Sequence, residues 1–234
     1  MCIARKTKKS TQNRLKKCEE LFAERLLQWY KLKKRVFTWR KRILTPYQVL
    51  VLEIMLQRTP AERVNELFHR FLKKYPDAHA ILRASDENLE SDIHTLGLQR
   101  RRRILLKNLA VCLVERYNGR VPINEKELLQ LPGVGRYVAN AVLCYSHGKS
   151  VPLIDTNAAR VLGRVFGLLV SSNPSSDEHL WTFTQRMLPQ MRVREFNWAL
   201  IDLGALICRP KTPLCNECPM FDRCLYAISK RRLG

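Results

Sequence analysis

No run of apolar residues in this sequence approaches the roughly 20 needed to cross a bilayer, so a membrane-spanning helix is excluded. The N-terminus, MCIARKTKKS, lacks the apolar core of a secretory signal, which makes a cytoplasmic protein the expectation. No convincing strand pattern and no internal repeat is present, which sets aside sheet and solenoid architectures. Acid is scarce: 21 Asp and Glu stand against 42 Lys and Arg, a formal net charge of +21. Such an excess draws a chain to polyanions, and for one without a membrane segment these are DNA or RNA. Residues 1–42 hold 15 basic side chains against 3 glutamates, more than half of the whole excess.

What is present is helical periodicity. From about Asn13 the residues Leu15, Cys18, Leu21, Phe22, Leu26, Trp29 and Tyr30 recur at three- and four-residue steps. They predict an amphipathic helix behind a basic, unstructured tail of a dozen residues. Thr45 followed by Pro46 reads as an N-cap with proline in the first turn, opening the apolar helix PYQVLVLEIMLQRT. Glu53 stands in the middle of that helix, where a carboxylate is costly unless it is paired or lines a cavity. Further helices are expected over 60–74, in short pieces over 77–94, from Leu98 to Tyr117, and over 125–130 and 138–145. The rest span 156–167, 178–190 and 193–207. The class is all-α with short connections. Four successive arginines, Arg100 to Arg103, cover every side of one turn, so some of them face solvent or phosphate.

The densest stretch runs from Leu131 to Arg164. It opens on Leu131-Pro132-Gly133-Val134-Gly135-Arg136, a tight turn feeding a helix. Gly133 and Gly135 can take positive φ and let a charged backbone approach closely. The amides of such a turn, with the helix N-terminus behind it, suit a phosphate oxygen. Twenty residues on, Asp155 precedes another helix. On its own that position reads as an N-cap; beside a phosphate clamp it reads as an acid for chemistry on a nucleic-acid sugar.

Cys208, Cys215, Cys218 and Cys224 fall within seventeen residues, among prolines at 210, 213 and 219 that keep the loop open. Four such thiols point to structural zinc or a [4Fe–4S] cluster, and spacing alone does not separate the two. Arg209, Lys211 and Arg223 lie in the same loop and would make it a phosphate-binding finger, positioning without reading sequence.

Together these features resemble the helix–hairpin–helix base-excision DNA glycosylases, the endonuclease III and MutY superfamily. LPGVGR matches the hairpin, LIDTN carries the matching aspartate, and the cysteine spacing is that of the iron–sulfur loop. The resemblance spans roughly Thr45 to Tyr226. It implies two helical lobes with a DNA groove between them. One is a six-helix barrel over 45–149 with the hairpin at 131–135. The other joins residues 13–44 to 150–234, with the cluster loop at 208–224. It also implies a [4Fe–4S] cofactor, a double-stranded DNA partner containing a mismatch, no membrane, and a monomer.

Within the superfamily, Tyr137 stands where endonuclease III-like members have a lysine nucleophile, so a Schiff-base lyase step is not expected. Glu53, in LEIMLQRT, resembles the acid that protonates or hydrogen-bonds the departing base, with burial raising its pKa. The sequence runs only a short way past the cysteines, unlike adenine glycosylases of MutY type. With Tyr137, this resembles the thymine glycosylases that act on G:T and G:U mismatches. The resemblance assigns the catalytic roles to Asp155, Glu53 and Tyr137. Arg58 and Leu98 become wedge residues filling the vacated stack. Gly133, Gly135, Arg136, Asn157, Arg209 and Lys211 are expected on the DNA backbone. An adenine or damaged-pyrimidine glycosylase, or a non-catalytic DNA-binding module, remains the alternative.

Overall fold

The structure, a computed structural model, describes residues 8–233, with side chains described for 16–231. It divides into two compact units, one of residues 36–149, the other of those up to Arg35 with those from Ser150 onward. Among the described residues every element is helical. None of the helices is long and apolar enough to cross a membrane.

The unit of residues 36–149 holds seven α-helices. They are α2 (Pro46–Leu56), α3 (Ala61–Lys74), α4 (Ala78–Arg83), α5 (Asp86–Ile93), α6 (Gln99–Tyr117), α7 (Glu125–Leu128) and α8 (Arg136–Tyr145). Helix α2 is its axis, packing on α3, α6 and α8, and Val49 to Met55 are buried without a break. It begins as the sequence indicates: the Gln48 amide donates to Thr45 Oγ1 (3.3 Å) and the Thr45 amide to Gln48 Oε1 (3.2 Å), a reciprocal capping box. Helix α6 buries Leu106, Leu109 and Leu113 along one stripe, and α4 and α5 pack on it.

The other unit contains α1 (Lys8–Lys33), α9 (Thr156–Phe166), α10 (Glu178–Arg186), α11 (Val193–Leu206) and α12 (Leu225–Leu233). Its core joins Phe22, Leu26 and Tyr30 of α1 to Val161 and Leu162 of α9, Trp181 of α10, and Phe196, Leu200 and Leu203 of α11. Phe166 lies tilted against Phe22 (5.2 Å between centroids) and edge-on to Phe183 (5.0 Å). The fully buried Asp202 accepts from the Arg35 amide (3.0 Å) and Nε (2.7 Å), fixing the chain where α1 ends.

Helix α1 runs from Lys8 and so includes residues 8–12 of the expected basic tail; residues 1–7 of that tail lie outside the described residues. Helix α12, after the cysteines, is not among the expected elements, since LYAISKRRL carries too short an apolar stripe to announce itself.

Candidate nucleic-acid interface and active site

The glycine turn links α7 to α8. Leu131 and Val134 are buried, and the Val134 amide closes the turn on Leu131 O (3.1 Å). Gly133 has φ +76°, which favours glycine, and a Cβ there would lie 2.5 Å from Leu105 Cδ1, so that leucine's tip would have to shift. Gly135 differs from expectation. Its φ of −92° and ψ of −179° are ordinary extended backbone, open to any residue. What its missing side chain provides is space: nothing lies within 4 Å of where a Cβ would be. Gly135 is the N-cap of α8 and has no side chain with which to cap it. Arg136 and Tyr137, both half-buried, form the first turn behind it. Glu53 is buried in α2 at 6% exposure.

Asp155 is the N-cap of α9, and its carboxylate is held from two sides. Oδ1 accepts from the Ala158 amide (2.7 Å), and Oδ2 from Asn157 Nδ2 (2.9 Å). The N-cap reading holds, and each carboxylate oxygen keeps a lone pair for another partner. Asn157 does not point its amide away from the protein. Its Oδ1 accepts from Arg160 Nη2 (2.8 Å), and Arg160 in turn donates to Gly204 O (2.8 Å) and Cys208 O (2.7 Å). Gly204 makes room for this: a Cβ there would sit 2.6 Å from Asn157 Cβ. The segment entering Asp155 is braced by buried Asn197, which accepts from the Leu153 amide and donates to Val151 O, both at 3.0 Å.

One turn after Arg160, Arg164 donates to Arg209 O and Pro210 O (2.7 Å each), approaches Cys208 Sγ (3.6 Å) and lies 4.7 Å over the Tyr226 ring. The two arginines thus hold the start of the cysteine loop on α9. Cys208, Cys215, Cys218 and Cys224 line one small apolar cavity with Val161, Ile207 and Tyr226. Burial pushes the Cys218 thiol up to about 12 and raises that of Cys224. Cys224 Sγ lies 3.3 Å from Arg164 O, which accepts from it. Among the described residues no group of three His, Cys, Asp or Glu is placed to hold a metal ion. Arg209 is exposed and donates to Leu206 O (3.0 Å), Lys211 is exposed, and Arg223 stands beside Asp222 (3.4 Å).

Arg58 and Leu98 are both exposed and both left-handed, with φ of +54° and +53°, on the rim of a cavity of about 260 Å³. Of the arginine run, Arg100 and Arg101 are exposed and Arg103 pairs with Glu90 (2.8 Å) and Asp86. Arg102, by contrast, is buried at 3% exposure, and burial lowers its pKa. Sequence reasoning missed it, although Arg102 continues the buried stripe of Leu106, Leu109 and Leu113. Arg160, Arg164 and Asn197 were missed too; their acceptors lie some 45 residues away, and no local signal marks them.

The family description "HhH-GPD superfamily base excision DNA repair protein" matches residues 51–186. A thymine/uracil-DNA glycosylase of Methanothermobacter thermautotrophicus is 36% identical over 90% of this chain and 95% of its own. An adenine DNA glycosylase of Rattus norvegicus is also 36% identical, over 87% of this chain and 41% of its own. A solved structure of a thermostable thymine-DNA glycosylase superposes with a TM-score of 0.87 at 35% identity, covering 92% of this chain and 99% of that one. A glycine hairpin, an ordered aspartate at a helix N-cap and a match across most of the fold agree, and the chain belongs to the HhH-GPD superfamily of base-excision DNA repair proteins.

Proposed function

We propose that this protein is a monofunctional DNA N-glycosylase of base excision repair that removes thymine or uracil mispaired with guanine and leaves an abasic site. The observation that carries the chemistry is Asp155, whose carboxylate is oriented by the Ala158 amide and Asn157. The choice of base is supported by the thymine/uracil relative, matched over nearly its whole length, and by the thymine-DNA glycosylase structure.

Breaking the N-glycosidic bond moves its electron pair onto the base and builds positive charge on the sugar. The carboxylate of Asp155 stabilises that charge and takes a proton from the attacking water. Buried Glu53 donates a proton or hydrogen bond to the departing base. Tyr137 lines the base pocket; a phenol forms no Schiff base, so strand cleavage does not follow. Gly133, Gly135 and Arg136 grip a phosphate at the N-terminus of α8. The exposed Arg209 and Lys211 contact the DNA backbone. Arg58 and Leu98 fill the stack left by the extruded base, and Arg58 donates to the orphaned guanine. A mispaired pyrimidine costs less to extrude, which contributes to selectivity. The role of Asn157 is to orient Asp155, which its two side-chain hydrogen bonds favour over the DNA backbone.

Four thiols line one cavity, and Arg164 anchors the start of the loop that carries them, which suits a group bound by all four. Cys208, Cys215, Cys218 and Cys224 would hold a [4Fe–4S] cluster, which pins the loop when bound. Iron and sulfide analysis of purified protein, with Cys215→Ser as control, tests this assignment.

A panel of duplexes carrying G:T, G:U, A:G, A:8-oxoguanine and thymine glycol tests the function, scored by alkaline cleavage of the abasic product. Excision confined to G:T and G:U is expected. Excision of adenine would move the protein to the adenine branch, and no excision on any duplex would leave a DNA-binding module.

A further inference from the structure

A non-glycine residue in the left-handed region costs on the order of 1 kcal/mol and persists only where its surroundings hold it. Arg58 and Leu98 both bear this cost while exposed, Leu98 at 49%, so no burial of their own side chains compensates it. The constraint lies beneath them. Arg102 Nη1 donates to Gly97 O (2.7 Å), the carbonyl of the peptide leading into Leu98. Its Nη2 donates to Gln57 O (3.0 Å), the carbonyl of the peptide leading into Arg58. The same nitrogen reaches Met55 O (3.2 Å) at the end of α2 and Thr59 Oγ1 (2.8 Å), while the buried Nε makes no hydrogen bond. Thr59 Oγ1 donates onward to Leu96 O (3.0 Å), tying the two loops a second time.

We infer that Arg102 is a positioning residue that locks the peptides preceding Arg58 and Leu98, holding both side chains raised for entry into a base stack. The inference rests on the glycosylase reading above and deepens it. One planar guanidinium grips both loops, so the wedge is assembled before DNA arrives and its two halves move together. A lysine, a point charge with no fork, cannot reach acceptors on both loops at once.

The test compares single-turnover excision of uracil from a G:U duplex with excision from single-stranded DNA, where no stack must be opened. Arg102→Lys should lower the duplex rate about tenfold, the loss expected for broken charge-assisted hydrogen bonds. It should leave the single-strand rate within about twofold. Thr59→Val should give a smaller loss in the same direction, and decides the matter alone if Arg102→Lys does not fold by circular dichroism. In an Arg58→Ala, Leu98→Ala background, Arg102→Lys should add no further loss on the duplex. Equal losses on both substrates, an unchanged duplex rate, or additive losses would overturn the inference. A parent enzyme inactive on both substrates would instead sink the glycosylase reading, and this inference with it.

Discussion

The N-termini of α8 and α9 each present a candidate group, and they are built in opposite ways. Helix α8 begins at Gly135, with no side-chain cap and open space before it. Helix α9 begins at Asp155, whose own carboxylate closes the helix end. Both ends carry the same partial positive charge and the same first-turn amides. Leaving off the cap is what an anion site at one of them would require. Supplying an acid as the cap makes the other a mount that holds a carboxylate by two hydrogen bonds. Helix α10 repeats the closed design with Asp177, away from any assigned chemistry, and so serves as an internal control.

The comparison can be broken in order of effect. Tyr137→Lys puts an amine in the first turn of the open helix. It should turn an enzyme that only removes bases into one that also nicks the strand, with an imine trapped by borohydride; no trapped imine would place residue 137 away from the sugar. Gly133→Ala forces φ +76° on alanine against Leu105. It should destabilise the unit of residues 36–149 by about 1–2 kcal/mol and weaken DNA binding together with stability.

Gly135→Ser sharpens the contrast further, because extended backbone there accepts serine and the hydroxyl can cap α8. Stability should rise by a few tenths of a kcal/mol. Affinity for duplex DNA should fall by about 1–2 kcal/mol as the hydroxyl takes the phosphate's donors. A variant gaining stability with unchanged affinity would show that the open end is no anion site.

The smallest effect belongs to the control. The Ser171 and Leu180 amides hold the Asp177 carboxyl below the usual carboxylate range. A group depressed in the fold contributes stability above its unfolded pKa and loses it as pH falls through the folded one. Asp177→Asn should therefore melt slightly lower at neutral pH and converge on the parent in acid. A melting difference that persists in acid would contradict this.

Much of the fold was legible because each long helix carries its own apolar stripe or cap: Thr45-Pro46 opens α2, and Leu106, Leu109 and Leu113 mark α6. The hairpin and Asp155 were legible as types, but their conformations were not. Nothing in a glycine's identity says that Gly133 takes positive φ and Gly135 does not. Arg102 was hidden by its neighbours, since a run of four arginines reads as a solvated face and only the register with Leu106 sets one apart. Arg160, Arg164 and Asn197 were illegible for a different reason. Most of their partners are distant backbone carbonyls and amides, which leave no mark in a sequence.

The central claim is that the carboxylate closing α9 performs the chemistry. Asparagine caps a helix as well as aspartate, so Asp155→Asn keeps the fold while removing the charge. Single-turnover excision at G:T and G:U should fall by about 10²–10³-fold, with mismatch binding and melting temperature unchanged. Excision at the parent's rate would contradict the account.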